Sequence, residues 1–532
     1  PRIVAHLQLK TLADLRGRWT TSLDAYRWAF DTLWDRLDHR AAACLWPEHL
    51  PLRDYLVQHR LPVFWLPGRI DGGRATCRPA EEVKLVESML ARLPANTPLL
   101  GYPWAGKDNG LGEGPGVTLF AEYAQYLVGS VGSGNLSVHS GVRDLAFRQK
   151  PAPPTPPLAP DKTYVAVIIS DGDNLPVLSE GNFPQLWQDP IRGSFPLGWT
   201  MSPAAGLLIP GIADWYYATA TAQDCLLGAV SGVGYTYPDS YAARYRAGDQ
   251  AAAFDGFLDQ TAAGFQVMDL RQAWIMNATR PETIRRYAEQ IPALDAIYPD
   301  YGRRVTSYDQ ATYPIERNVG VFHAANGWEE TATREPQIDG VVKQIRDMTP
   351  TERPAFLHLF VWNWGFDLSM VRDVLDRLGP EYVAVRPDHM AALYRQHLAA
   401  RKILPSFPAD TVAVEGLPLR VEGRLHNGTD TVTDLRLSVS SGLRGGDVAP
   451  ARLSLPSGDS RSIVLRGLPT GEPIDLEWTD GGDQALEQIR CQVLPKSELV
   501  GLLPEDLGEL CFQARYAVVD LPKRIGIDAP DG

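Results

Sequence analysis

Between residues 163 and 387, short apolar runs rich in β-branched and aromatic residues take turns with segments whose apolar positions recur at helical spacing. The runs are TYVAVIIS (163–170), LGWTMS (197–202), LLGAVSG (226–232), FQVMDL (265–270) or AWIM just beyond it, DAIYPD (295–300), NVGVFHA (318–324), FLHLFVW (356–362) and YVAVRP (382–387). Helical spacing fills 241–263, 281–291, 336–348 and 368–378. Strands apolar along their whole length are buried on both faces, as in parallel sheets covered by helices. About seven or eight such units predict a (β/α) TIM-like barrel over residues 161–402, irregular and with seven or eight strands.

The flanks read differently. Ahead of the barrel, residues 23–38 carry helical spacing, AAACLW and LPVFWL read as short buried strands, and a helix at 80–93 leads into the strand TPLLGYPW. These predict an N-terminal α/β domain over 1–150, joined to the barrel by PAPPTPPLAPDK (151–162), whose prolines forbid helix and interior strand. Within that domain NGLGEGPGV is glycine-rich, yet it has no phosphate-loop lysine and no dinucleotide fingerprint, so it is read as a loop. Past ILPSFPAD (403–410) the pattern switches to apolar/polar alternation between glycine, asparagine and proline turns. That predicts an antiparallel, Ig-like β-sandwich over 405–495 as an accessory domain, followed by a tail, 496–532. The expected fold class is therefore multidomain α/β.

Composition narrows the partners. A chain of 532 residues with 44% apolar and 22% charged residues has material for several cores. The net charge of −13, with no concentrated cationic face, argues against nucleic acid. No apolar run reaches the roughly 18–20 residues of a bilayer-spanning helix. The five cysteines, at 44, 77, 225, 491 and 511, form no CxxC pair, so no structural zinc site is expected, and Cys225 beside LLGAV reads as a small buried hydrophobe. Oligomeric state is not encoded in any feature of the chain.

Parallel βα barrels carry their chemistry at the carboxyl ends of the strands. Each candidate strand here ends in polar or aromatic residues. SDGDN supplies Asp171 and Asp173, and GVGYTYPD (232–239) supplies Tyr235, Tyr237 and Asp239. DAIYPD ends in Tyr298 and Asp300, NVGVFHA leads to His323 and Asn326, the next strand ends in Trp362, Asn363 and Trp364, and the last in Asp388 and His389. Each has a bland alternative. SDGDN makes a good turn through local side-chain hydrogen bonds, the glycines of GVGYTYPD suit a tight loop, and a lone histidine in an apolar run is commonly a satisfied core residue. Two indoles two residues apart share one strand face, where one packs in the core and the other suits a sugar platform.

GVGYTYP fits the pattern GxGYxYP, and with SDGDN some sixty residues upstream the chain resembles the GxGYxYP putative glycoside hydrolase family over residues 1 to about 400. The resemblance implies a carbohydrate-active enzyme of bacterial type, acting on a poly- or oligosaccharide, secreted or periplasmic. It supplies no nucleophile, so roles are assigned from chemistry.

Glycoside hydrolysis uses one protonated and one ionised carboxyl group. The expected catalytic set is Asp171, Asp173 and Asp300. Substrate contacts are expected from Tyr235, Tyr237, Asp239, Tyr298, His323, Asn326, Trp362, Asn363, Trp364, Asp388 and His389. No cofactor and no metal are expected. The rival reading is a metal-dependent carbohydrate deacetylase, in which a divalent cation would be held by Asp171, Asp173, His323 or His389. A second rival is a glycan-binding protein without turnover.

Overall fold

A computed structural model of the chain describes residues 6–8, 10, 13–46, 49, 51–65, 79–104, 111–276, 278, 280–299, 312–325, 333–407, 413–480, 485–491 and 493–495. The first sheet holds β1 (Ala42–Cys44), β2 (Val63–Phe64), β3 (Thr97–Gly101) and β4 (Gln125–Gly129), in the order β2-β1-β3-β4, all parallel. Helices Ser22–Leu33, Pro79–Leu90 and Glu113–Glu122 accompany it. The last of these is a departure from the sequence reading, because it begins inside the glycine-rich stretch that was read as a loop. Buried Val117, Leu119, Phe120 and Ala121 supply the apolar side that holds it.

The proline-rich connector 151–160 has neither helix nor strand. It is nevertheless pinned: Tyr164 Oη accepts from Ala159 N at 2.7 Å and donates to Pro157 O at 3.3 Å.

The central region holds β5 (Thr163–Ile169), β6 (Leu197–Met201), β7 (Asp224–Gly228), β8 (Gln272–Ile275), β9 (Ala296–Pro299), β10 (Thr312–Ile315), β11 (Val319–Phe322), β12 (Ala324–Ala325), β13 (Ala355–Val361) and β14 (Tyr382–Val385). These ten strands form one nearly closed, barrel-like sheet, with the short β10 antiparallel on β11 and β11 and β12 following each other in a single stretch. Closure comes from one stretch that changes partners. Gly320 and Val321 pair with Ala296 and Ile297 of β9, and three residues later Ala324 and Ala325 pair with His358 and Leu359 of β13. Strand β13 then lies along the whole of β5, from Ala355 opposite Thr163 to Val361 opposite Ile169. Of the two positions open for the fourth strand the second is occupied, as β8. The residues FQV instead complete the helix Ala247–Val267, where Phe257, Leu258, Thr261 and Phe265 make one buried stripe.

Alternation along β5 divides the core in two. Val165, Val167 and Ile169 face the surrounding helices, whereas Tyr164, Ala166 and Ile168 face inward. The inner face is not hollow throughout. Helix Pro387–Arg401 packs there through Met390, Leu393, Tyr394 and Leu398, with Tyr394 edge-on to Phe356 and Phe322 at ring-centroid distances of 5.1 and 5.3 Å. Strand β14, which feeds this helix, pairs only with the first half of β5, ending with Val385 opposite Ala166.

Beyond the barrel the chain forms separate antiparallel sheets. One holds β15 (Ile403–Ser406), β17 (Leu419–Asn427), β21 (Ser460–Pro469) and β19 (Leu443–Ala449) in that order, and the other holds β20 (Arg452–Leu455), β18 (Thr433–Ser441), β22 (Ile474–Asp480) and β23 (Ala485–Cys491). A two-stranded parallel pair, β16 (Ala413–Val414) with β24 (Val493–Leu494), joins them. Both four-stranded sheets feed one apolar cluster that includes Val421, Ile463, Leu437 and Trp478. They dock on the barrel through Arg317 N to Gly458 O at 2.6 Å and through His426 Nε2 against Asn318 Oδ1, also 2.6 Å.

Candidate functional site

The site begins where β5 ends. Ser170, Asp171, Gly172 and Asp173 leave the strand in a turn with Asp171 in the left-handed region, at φ 67°. Aspartate tolerates that conformation better than most residues, and strained backbone of this kind gathers at functional sites. Gly172 is required by contact: a Cβ there would lie 1.7 Å from Thr200 O. Its own N–H donates to Thr200 Oγ1 at 2.9 Å, and its carbonyl accepts from Ser202 N at 2.9 Å. The turn is thus fastened to the end of β6, which fixes both aspartates.

The two aspartates differ in surroundings. Asp171 is half-buried and accepts from Ser170 Oγ and, at 3.2 Å, from Asn363 Nδ2, which also donates to Ser170 O at 3.2 Å. Asp173 is 9% exposed. Burial pushes Asp171 up to about 6, opposed by the Ser170 hydrogen bond and reinforced by the charge of Glu113. Burial, then the Asp171 charge, pushes Asp173 further, to about 8, with Glu113 adding to the rise. Two neighbouring carboxyls have been moved apart in proton affinity, the arrangement from which an acid and a base are made.

The third carboxyl was not foreseen. Glu113 opens the helix Glu113–Glu122 of the N-terminal region, and it accepts from Tyr235 Oη at 2.7 Å. Tyr102, just after β3, hydrogen-bonds the same carboxylate, and burial together with the Glu113, Asp173 and Asp171 charges drives its phenol far above the usual range. Tyr237 Oη lies 3.2 Å from Tyr235 Oη, the two rings edge to face at 5.7 Å. The only hint in the sequence was an acid set between glycines directly ahead of a helix-compatible stretch.

The signature loop is built to reach this place. Tyr235 N donates to Leu127 O at 2.7 Å and Leu127 N to Tyr235 O at 2.8 Å, an antiparallel bridge onto β4. At Gly234 a Cβ would stand 2.3 Å from Tyr126 Cδ2 and 2.8 Å from Leu127 O. The glycine lets one backbone lie flat on the other.

The structure therefore brings together Asp171, Asp173, Tyr235, Tyr237 and Asn363. Trp362 packs on the inner cluster, and Trp364 stands 52% exposed beside Asn363. The other expected residues go elsewhere. Asp239 accepts from Arg280 N at 3.2 Å, at the start of helix Pro281–Gln290. Tyr298 is fully buried on the inner face and donates to Pro387 O at 2.8 Å. His323 follows the alternation of β11, so Phe322 and Ala324 turn inward while His323 lies with Tyr313, ring centroids 5.7 Å apart, and burial pushes it down to about 4.

Asp388 and His389 do not reach the carboxyl end, because β14 stops short. Asp388 forms a two-pronged pair with Arg386, 2.9 Å on each side, and Arg386 also donates to Ala222 O and Asp224 O at the amino end of β7. His389 Nε2 lies 2.9 Å from Pro153 O. The pairing of either residue with Asp171 or Asp173 around a cation is not supported by this geometry, and among the described residues no three His, Cys, Asp or Glu side chains are grouped to hold a metal. Asp300 and Asn326 lie outside the described residues. No helix of the described residues is long and apolar enough to cross a membrane.

A nearly closed, largely parallel barrel-like sheet with two aspartates at the end of one of its strands defines a multidomain α/β protein. Two domains of one family match the chain: the GxGYxYP putative glycoside hydrolase C-terminal domain over residues 161–395 and the GxGYxYP third domain over residues 39–141. The chain belongs to the GxGYxYP putative glycoside hydrolase family. Among solved structures, a putative hydrolase of Bacteroides thetaiotaomicron VPI-5482 is 22% identical, with a TM-score of 0.61 over 74% of this chain and 72% of that one, which shows a shared fold. A putative polysaccharide deacetylase of Mycobacterium smegmatis is 10% identical, with a TM-score of 0.31 over 47% of this chain and 96% of its own. A Cellulomonas fimi endo-β-1,4-mannanase double mutant is also 10% identical, with a TM-score of 0.23 over 62% and 94%. Likenesses that slight carry no weight here. No curated protein matches the chain.

Proposed function

We propose that the protein is a glycoside hydrolase in which Asp173 is the general acid and Asp171 the carboxylate that acts at the anomeric carbon. One observation carries this reading: hydrogen-bond donors converge on Asp171 while Asp173 is buried more deeply beside it, so that near neutral pH Asp173 keeps its proton and Asp171 is ionised. Asp173 donates its proton to the leaving glycosidic oxygen as the C–O bond breaks. Asp171 supplies the negative charge opposite the developing oxocarbenium ion, and water supplies the oxygen that ends on the anomeric carbon, giving its proton to the now ionised Asp173. Tyr237 and Asn363 hold hydrogen-bonding groups beside the pair, and the exposed indole of Trp364 offers a stacking face for a pyranose ring. The antiparallel sheets of residues 403–491, packed as a sandwich, brace the barrel from outside.

The test separates the roles by leaving group. A D173N variant should lose turnover of a soluble oligosaccharide yet retain it on an aryl glycoside with an acidic phenol, which departs without protonation. A D171N variant should lose both. Equal activity of D173N on the two substrates, or full activity of D171N, would refute the assignment.

A further inference from the structure

Of the tryptophans in the described residues, all are buried or half-buried except two, Trp104 at 46% exposure and Trp364 at 52%. Both stand three residues beyond a strand end, Trp104 after Gly101 of β3 and Trp364 after Val361 of β13. An indole left in water forgoes the burial that the others obtain, and it presents a flat apolar face to whatever arrives.

The two strand ends meet around one turn. On the barrel side, Asn363, next to Trp364, donates to Asp171 at 3.2 Å. On the other side, Gly101 pairs with Gly129 at the end of β4, and a Cβ on Gly129 would lie 3.4 Å from the Cα of Asn174, the residue after Asp173. The chain between Gly101 and Trp104 is held in place. Gly101 N donates to Ser130 Oγ at 2.7 Å, Gly112 N donates to Pro103 O at 3.3 Å, and a Cβ on Gly116 would stand 2.4 Å from Pro103 Cβ. Pro103 thus rests on the first turn of the helix that opens with Glu113, the acceptor of Tyr235 Oη. Even with the chain fully drawn out, Trp104 is at most about 25 Å from Asp173. That is a span of a few pyranose units.

We propose that Trp104 is a distal sugar-binding residue: the site runs from the barrel across the seam onto the first sheet and takes a neutral oligosaccharide long enough to touch Trp364 and Trp104 together. The inference rests on the glycoside hydrolase reading for its class of ligand and extends it to the ligand's length. The acids along the path, Asp171, Asp173 and Glu113, suit sugar hydroxyls, which can donate to a carboxylate, and repel charged sugars.

Binding tests this without turnover. Thio-linked oligosaccharides of glucose, mannose and xylose, which resist cleavage, are titrated into the full chain by calorimetry, from disaccharide to hexasaccharide. Affinity should rise with length, and W104A should lose about fivefold or more on the hexasaccharide, while W104F recovers most of it. Hydroxyl-radical footprinting of the unsubstituted chain gives a second reading that does not depend on a variant folding. The hexasaccharide should shield both indoles from oxidation, and the disaccharide Trp364 alone. Equal oxidation of Trp104 with and without the hexasaccharide overturns the proposal, as does a folded W104A with the parent's affinity, or no binding anywhere in the series. Shielding of both indoles without cleavage of the oxygen-linked counterpart would sink the hydrolase reading and leave this one, and cleavage with Trp104 unshielded does the reverse.

Discussion

Tyr235 and Leu127 exchange both of their backbone hydrogen bonds, at 2.7 and 2.8 Å, across the seam between the barrel and the first sheet. A signature loop that looked from sequence like the rim of one pocket is thus also a splice between two regions. Gly234 makes the splice, so Gly234→Ala should lower the melting temperature and cost about 1–3 kcal/mol, since its methyl would collide with Tyr126 and the Leu127 carbonyl. Differential scanning calorimetry checks this.

Burying ionisable aspartates has a cost that depends on pH, and the sign is fixed by the direction of the shifts. Both folded-state affinities are raised, to about 6 and about 8, so their contribution to stability is full below the unfolded value near 4. It is lost as the pH climbs through those figures. D173N removes the larger penalty. It should be more stable than the parent at pH 9, by at least about 1 kcal/mol, and equal to it near pH 4. Parallel denaturant titrations at the two pH values read the difference directly.

Asn363→Ala deletes a donor to ionised Asp171. The acidic limb of the rate profile should move upward by roughly half a unit to one unit, with kcat reduced about tenfold or more. A pH–rate series on an aryl glycoside measures both.

Trp364→Ala should raise KM on oligosaccharides several-fold and leave the free energy of unfolding within about 0.5 kcal/mol of the parent, because the indole is exposed. By contrast Asp388→Asn should leave kcat intact and destabilise by about 2 kcal/mol, since it strips the partner from Arg386, which is only 2% exposed.

Three acids around one site disfavour anionic sugars by repulsion and by the cost of desolvating a further charge. A neutral glycan should be bound in preference to a polyuronide. Affinity electrophoresis in gels containing a neutral β-glucan or polygalacturonate compares the two.

Much of this was legible from local pattern. The apolar runs gave the strands because burial on both faces leaves no polar positions to interrupt them, and Asp171 and Asp173 followed from standing at the end of one. The rest depended on relations that a linear pattern does not hold. Asp388 and His389 follow a strand as Asp171 does, but the register of β14 against Thr163–Ala166 sets them back, beside β7's beginning. The stretch NVGVFHA reads as one strand, yet it serves two neighbours in turn, and its alternation sends His323 outward. Glu113 escaped notice because its partner, Tyr235, comes 122 residues later, in the loop after β7.

Helix Pro387–Arg401 lies across the inner face with Tyr394 wedged among Phe322 and Phe356. Side chains of that helix thus fill the inner face between Phe322 and Phe356, so the interior there is packed core, and the chemistry of Asp171 and Asp173 is confined to the strand end at which β5 gives way to the turn.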